Sequence, residues 1–290
     1  MSRPLTSLGE TLTADHAVRT IPPALIGVGL LLLLQPPPGL VMILGAAALP
    51  LVERRLRDAL LVLLPLITLM LVWRVDDGVV WSLSFLDYTL EPVKGSTVGR
   101  LFATVFSLMA LTGGLFAFRT ASTLELTAAM AYAGSAIGVT FAGDLLTVFV
   151  YWELMALGST VVIVAAGTDA AYRSARRYVL VHLLGGVILM VGITSHVMDT
   201  GSLAFTAMQP DSFGKAMILL GFLVNAGAPP WSAWIPDAYP EASPSGAVFL
   251  SAFTTKTAVF ALWVGFPGAG ILVFFGLYMV FYGIIYALLE

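Results

Sequence analysis

The chain is built of apolar stretches of bilayer-crossing length, separated by short loops that hold nearly all of its charge. A bilayer core about 30 Å thick takes roughly 20 apolar helical residues per crossing. Inside hydrocarbon every backbone N–H and C=O needs a partner within the protein, which each helix supplies for itself. Reading the runs between charges, Gly and Pro places helices near 39–52, 58–74, 100–118, 122–142, 145–166, 174–197, 213–233, 244–264 and 270–289. A shorter run, Pro22 to Leu34, precedes them and stops at Pro36-Pro37-Pro38. It has the length of a signal-peptide core, but no small-residue cleavage site follows, so it reads as a short additional span. The expected fold is an all-α polytopic membrane protein with nine to ten transmembrane helices.

Charge and composition narrow the function. Only 11% of the 290 residues are charged, against about a quarter in a soluble domain. The mean hydropathy of +0.95 excludes a soluble enzyme, and a net charge of −3 with no basic stripe excludes a nucleic-acid partner. Cys is absent and the three His are scattered, so no disulfide, metal site or cofactor is expected. Lys and Arg collect on the cytoplasmic side of membrane helices. Arg54, Arg55 and Arg57, then Arg119, then Arg173, Arg176 and Arg177 mark alternate loops as cytoplasmic, while Asp76, Asp77, Asp87, Glu91, Asp144, Asp199 and Asp211 fall in the others. Counting Pro22 to Leu34 as a span puts Arg3 and Arg19, and both termini, inside as well. The one long loop, Val75 to Gly99, carries alternating residues (Val80, Ser82, Leu83, Ser84, Phe85) that predict a small β-hairpin.

An ionisable side chain within a span costs at least a few kcal/mol and is a functional candidate by default. Glu153 lies in the 145–166 segment and Lys256 at the middle of 244–264. Two readings stand: a buried structural salt bridge, or a proton or cation relay, with the two side chains within reach directly or through water. His182 is a third polar group at depth, either a packing residue or a relay member. His196 and Lys215 sit at helix ends where a polar head reaches water, and Asp144 beside Gly143 suits an N-cap. The 213–233 segment carries Asn225-Ala226-Gly227-Ala228-Pro229-Pro230, and Pro cannot continue a helix. A break at Gly227, Pro229 and Pro230 is expected, with Asn225 at a polar cavity lined by released carbonyls; broken helices at membrane depth often mark ion sites. The following stretch, Trp231 to Ala242, reads as an aromatic, Pro-rich corner on the cytoplasmic side.

The residues Gly143-Asp144-Leu145-Leu146-Thr147-Val148-Phe149-Val150-Tyr151-Trp152-Glu153-Leu154-Met155 resemble the glutamate helix of antiporter-like membrane subunits. These are the D-type subunit of the Mrp-type multisubunit cation/proton antiporters and its relatives in respiratory complex I and membrane-bound hydrogenases. A second stretch, Trp234-Ile235-Pro236-Asp237-Ala238-Tyr239-Pro240-Glu241-Ala242-Ser243-Pro244 together with Leu250 to Thr257, is similar to that family's other signature. The resemblance runs from about Gly39 to the last residue, and the Mrp D-type branch looks nearest.

That resemblance implies roles. Glu153 matches the glutamate that modulates a neighbouring lysine, and Lys256 the lysine that passes protons along the membrane axis. Asn225 stands where the family usually carries a pumping lysine in its broken helix, and the family chain normally continues into a second, inverted five-helix repeat. The chain is therefore expected to resemble the first half of such a subunit. Its implied parts are N-terminal helices with a hairpin (1–121), one five-helix antiporter-like repeat with a broken helix (122–265) and a closing helix at a partner interface (266–290). The implied function is a proton or sodium half-channel with a relay of Glu153, Lys256, His182 and Asn225, in a multi-pass subunit of a bacterial inner (plasma) membrane complex. Its partners would be other membrane subunits, including a separate chain that supplies the second repeat against the 244–264 and 270–289 helices. The alternative is a structural subunit that has lost pumping, within a redox- or gradient-driven complex. Neither reading makes the chain catalytic by itself.

Overall fold

The structure, a computed structural model, describes residues 36–289. The expected span Pro22 to Leu34, with Arg3 and Arg19, lies outside the described residues. Each of the nine longer apolar runs is helical. In chain order the elements are α1 (Pro38–Ala48, closed by a 3-10 turn), α2 (Arg54–Val72), β1 (Gly78–Phe85), β2 (Tyr88–Gly95), α3 (Thr97–Ala117), α4 (Thr123–Phe141) and α5 (Leu145–Val164). After these come α6 (Asp169–Thr200), α7 (Phe213–Ala226), the short α8 (Trp234–Ala238), α9 (Pro244–Ala252), α10 (Thr254–Gly265) and α11 (Ile271–Leu289). Among the described residues, six stretches are long and apolar enough to cross a membrane, taking α9 and α10 as one. The chain is a multi-pass, all-α membrane protein, and its only sheet among the described residues is the antiparallel β1–β2 hairpin foreseen in the long loop.

Local chemistry sets the helix starts. Ser96, Ser122, Asp144, Thr168, Ser212 and Ser243 each precede a helix and accept a hydrogen bond from a first-turn amide, satisfying one of the four N–H groups a helix leaves unpaired. Asp144 is the N-cap expected of it, and it also accepts from Glu91 N at 2.8 Å, which ties the hairpin to α5. Gly201 and Gly227 end α6 and α7 in the left-handed conformation, at φ 69° and 77°.

Tertiary bonds join loops that alternate along the chain. At the arginine-rich end Arg57 donates to Thr123 Oγ1 (2.8 Å), Ser243 Oγ to Glu125 Oε1 (2.7 Å), and Arg177 to both carboxylate oxygens of Asp237 (2.8 and 2.6 Å). At the opposite end Gly143 N donates to Glu91 O and Phe205 N to Gly143 O, both at 2.8 Å. Lys215 belongs to this second end, where it donates to Asp211 and so holds that carboxyl below its ordinary value. His196 departs from expectation. It is 8% exposed, and its backbone faces Gly214 of α7, because Gly192 and Gly214 let α6 and α7 cross at backbone contact.

Burial is uneven. Helix α4 is the hub, buried along most of its length against its neighbours. Helix α11 buries no residue, and a Cβ added at its Gly276 or Gly283 would meet nothing within 4 Å.

Candidate functional site

Three helices bring polar side chains to one glycine pair. Helix α6 carries Gly185-Gly186, and the Glu153 carboxyl of α5 occupies the space that a Cβ at Gly186 would fill. Asn225 of α7 packs closely against Gly185, where a Cβ would stand 3.3 Å from Oδ1 and 3.0 Å from Val224 Cγ1. His182 precedes this pair by one helical turn on the same face. Its Nδ1 lies 2.8 Å from Asn225 Oδ1. His182 and Asn225 are 1% and 0% exposed, and Glu153 is half-buried. The sequence-predicted Glu153, His182 and Asn225 therefore form one cluster.

Aromatic rings wall it. The His182 ring stands 4.1 Å from that of Tyr178 and 4.7 Å from that of Trp234, and Trp152 meets Phe222 at 5.0 Å. Beyond Trp234, a cavity of about 440 Å³ is lined by Trp231, Trp234 and the Arg177–Asp237 ion pair at the arginine-rich end. Within the cluster, Glu153 Oε1, His182 Nε2, Asn225 Nδ2 and Trp152 Nε1 are buried and make no hydrogen bond, as is Ser232 Oγ nearby. Leaving a buried polar group unpaired costs about 1–3 kcal/mol. Tight packing alone does not account for five such atoms around one helix break.

The break itself falls where the Gly and Pro residues put it, but it differs in one respect. Helix α7 has 14 residues, about 21 Å at 1.5 Å per residue, and so ends short of a full crossing. Instead of lining a cavity, its last carbonyls are capped. Ala228 N donates to Leu223 O (3.0 Å), and Gly227 N and Trp234 Nε1 donate to Val224 O (both 3.1 Å). The polar lining is made by side chains.

A second break was not foreseen. The 244–264 segment is interrupted at Phe253, three residues before Lys256. No Gly or Pro lies there; partners from elsewhere hold the released groups. Tyr239 Oη donates to Leu250 O (2.8 Å), Lys256 Nζ to Ser251 O (2.6 Å) and Thr254 N to Tyr132 Oη (2.8 Å). Tyr132 Oη also bonds Thr254 Oγ1, and Lys256 Nζ donates to Thr255 Oγ1 at 3.1 Å. Lys256 is exposed, on the same side of the break as Ser251, Val259 and Trp263. Of the two readings of Glu153 and Lys256, the buried structural salt bridge is not formed. The ammonium is turned outward to cap the Ser251 carbonyl, and Glu153 Oε1 has no partner.

Comparison with known proteins bears on these positions. The family model described as "NADH:quinone oxidoreductase/Mrp antiporter, TM" matches residues 142–289, just over half of the chain, a stretch that contains Glu153, His182, Asn225 and Lys256. The chain belongs to this family. Among the family's curated members it is 28% identical over 138 residues to a probable K(+)/H(+) antiporter subunit of Rhizobium meliloti, covering 43% of this chain and 25% of that one. Two solved structures share the fold. A chain of respiratory complex I from Thermus thermophilus matches with a TM-score of 0.67 at 22% identity, over 78% of this chain and 51% of that one. A chain of the Mrp complex from Dietzia sp. matches with a TM-score of 0.63 at 20% identity, over 78% and 27%. The chain thus spans about half or less of the length of these relatives. It is an antiporter-like membrane subunit of the Mrp and complex I family.

Several residues at the site escaped the sequence. Tyr178 carried a signal, since it lies four residues before His182 on one helix face. Tyr132, in an ordinary Ala-rich helix, and Trp234, in a corner that reads as interfacial, carried none. Glu125, buried and bonded by Ser243 and Ser245, looked like a common first-turn acid.

Proposed function

We propose that this chain forms a proton (or sodium) half-channel of a multisubunit membrane complex, in the inner membrane of a bacterium. The observation that carries this reading is the convergence of Glu153, His182 and Asn225 on Gly185-Gly186 beside a broken helix, with buried polar atoms left unpaired. Such atoms suit an ordered-water chain, which needs two to four polar partners per water. Lys256, on the exposed face, is the group through which the path leaves this cluster. The stretch 122–265 acts as one antiporter-like repeat. A second repeat, supplied by another chain, packs on the face that carries Lys256, Val259, Trp263 and α11, where an apolar groove of about 500 Å³ already lies between α7, α10 and α11. A half-channel becomes a full crossing only where two repeats meet.

The test is proton and sodium flux by the assembled complex in vesicles. Glu153→Gln and Lys256→Ala should each lower flux at least tenfold while the complex still assembles. Full flux in both would sink the proposal. The second reading, a subunit that holds the complex together without pumping, is favoured by one observation, the neutral amide at Asn225. It predicts that both variants assemble and transport as the parent does.

A further inference from the structure

We infer that Asn225 is a positioning residue that holds His182 in its Nδ1–H tautomer and leaves Nε2 as the proton-accepting atom of the cluster. An amide oxygen only accepts a hydrogen bond, so a contact of 2.8 Å between Asn225 Oδ1 and His182 Nδ1 requires the proton to be on Nδ1. In neutral imidazole the other nitrogen then carries a lone pair. That atom, Nε2, is buried and makes no hydrogen bond. Room for the arrangement is built into α6, because Gly185 has no Cβ to push the amide away. The ring is also fixed from two sides by Tyr178 and Trp234. Trp234 is itself anchored through Nε1 to Val224 O, the carbonyl just before Asn225, so the helix break and the ring orientation are set by one contact set.

The step is a proton transfer that balances by itself. A proton from water binds the Nε2 lone pair to give an imidazolium, Nδ1–H stays on Asn225, and release of the Nε2 proton to the next carrier restores the neutral ring. The groups that face His182 are Tyr178 on its own helix, Asn225 on α7 and Trp234 at the corner, all uncharged at neutral pH. The Glu153 carboxyl lies against Gly186, one helical turn beyond His182, and Arg177 on the same helix is held by Asp237. The neutral amide at position 225 then leaves the single switchable positive charge of this cluster on the histidine.

This inference rests on reading the cluster as a proton path, and the two can fail separately. The experiment is nitrogen NMR on the full chain in lipid nanodiscs with ¹⁵N-labelled histidine, His182→Gln identifying the signal among those of His16 and His196. At neutral pH the His182 signals should be those of a protonated Nδ1 and a bare Nε2. Asn225→Leu should lower the ratio of the Nδ1–H to the Nε2–H form roughly tenfold, the scale of one lost buried hydrogen bond. Asn225→Asp keeps an acceptor oxygen and should restore the parent tautomer. An Nε2–H ring in the parent chain, which needs no variant to fold, or an unchanged ratio in Asn225→Leu, overturns the inference. An Nδ1–H ring together with undiminished proton flux in the His182→Gln complex supports the tautomer assignment and sinks the proton path.

Discussion

The two helix breaks use their polar groups in opposite ways. At the Phe253 break, Tyr239, Lys256 and Tyr132 satisfy Leu250 O, Ser251 O and Thr254 N, so the released backbone is knit into the bundle. At the α7 break the backbone is also capped, but the side chains around it keep five buried atoms without partners. A break whose released backbone groups are held is a fixed element of architecture, although Thr257 Oγ1 beside it is buried without a partner. One whose side chains keep spare donors and acceptors is placed to exchange protons. Stability should therefore respond most to changes at the second break and at the α6–α7 crossing, and transport to changes at the first.

The largest effect is expected at the crossing that brings the first cluster together. A Cβ at Gly192 would stand 2.6 Å from Ile218 N and 2.8 Å from Gly214 O, backbone atoms that cannot swing aside. Gly192→Val should force α6 and α7 apart, separating His182 from Asn225, at a cost of ~3 kcal/mol or more. Folded yield by size-exclusion chromatography would fall sharply; a normal yield with normal flux would break the claim that the first cluster depends on this contact.

Tyr132→Phe probes the second break next. It strips Thr254 N of its acceptor in a buried setting, for a loss of about 1–3 kcal/mol, read as a lower melting temperature in detergent. Asn225→Ala should cost less, about 1 kcal/mol, since the small residue leaves room for water at His182 Nδ1. Its flux, however, should fall more than that of any variant at the second break other than Lys256. Equal flux loss in Tyr132→Phe and Asn225→Ala would erase the distinction between the two breaks. The smallest effect belongs to Arg177→Ala. Its pair with Asp237 is exposed to solvent, where screening by water and salt offsets most of the attraction. A melting temperature within a degree or two of the parent chain, at any ionic strength, is the expected result.

Much of this organisation was legible in the sequence. Hydropathy runs marked the longer helices, Asp144 marked the start of one of them, and Gly227 with Pro229 and Pro230 marked the first break. Alternating residues marked the hairpin. These features are local, in that each depends on a few neighbouring residues meeting hydrocarbon, water or a helix end. The same locality made Glu153, His182, Asn225 and Lys256 conspicuous, because an ionisable or amide group in an apolar run stands out whatever it touches.

Which of them meet was decided only by the tertiary structure. Helix rotation fixes which face a side chain occupies, and it is set by packing between distant segments: Gly192 against Gly214, and Gly185-Gly186 against Glu153 and Asn225. The Phe253 break has no Gly or Pro to cause it, and Tyr132, 122 residues away from Thr254, supplies the oxygen that takes its N–H. The sequence determined by itself that the chain is a bundle of membrane helices with a few polar groups at depth and a break after Asn225. The packing of those helices decided that Glu153, His182 and Asn225 share one site and that Lys256 turns away from it. The physical reason is that hydrophobic burial is non-directional and readable from composition, whereas hydrogen bonds between helices need both partners placed to within a few tenths of an ångström.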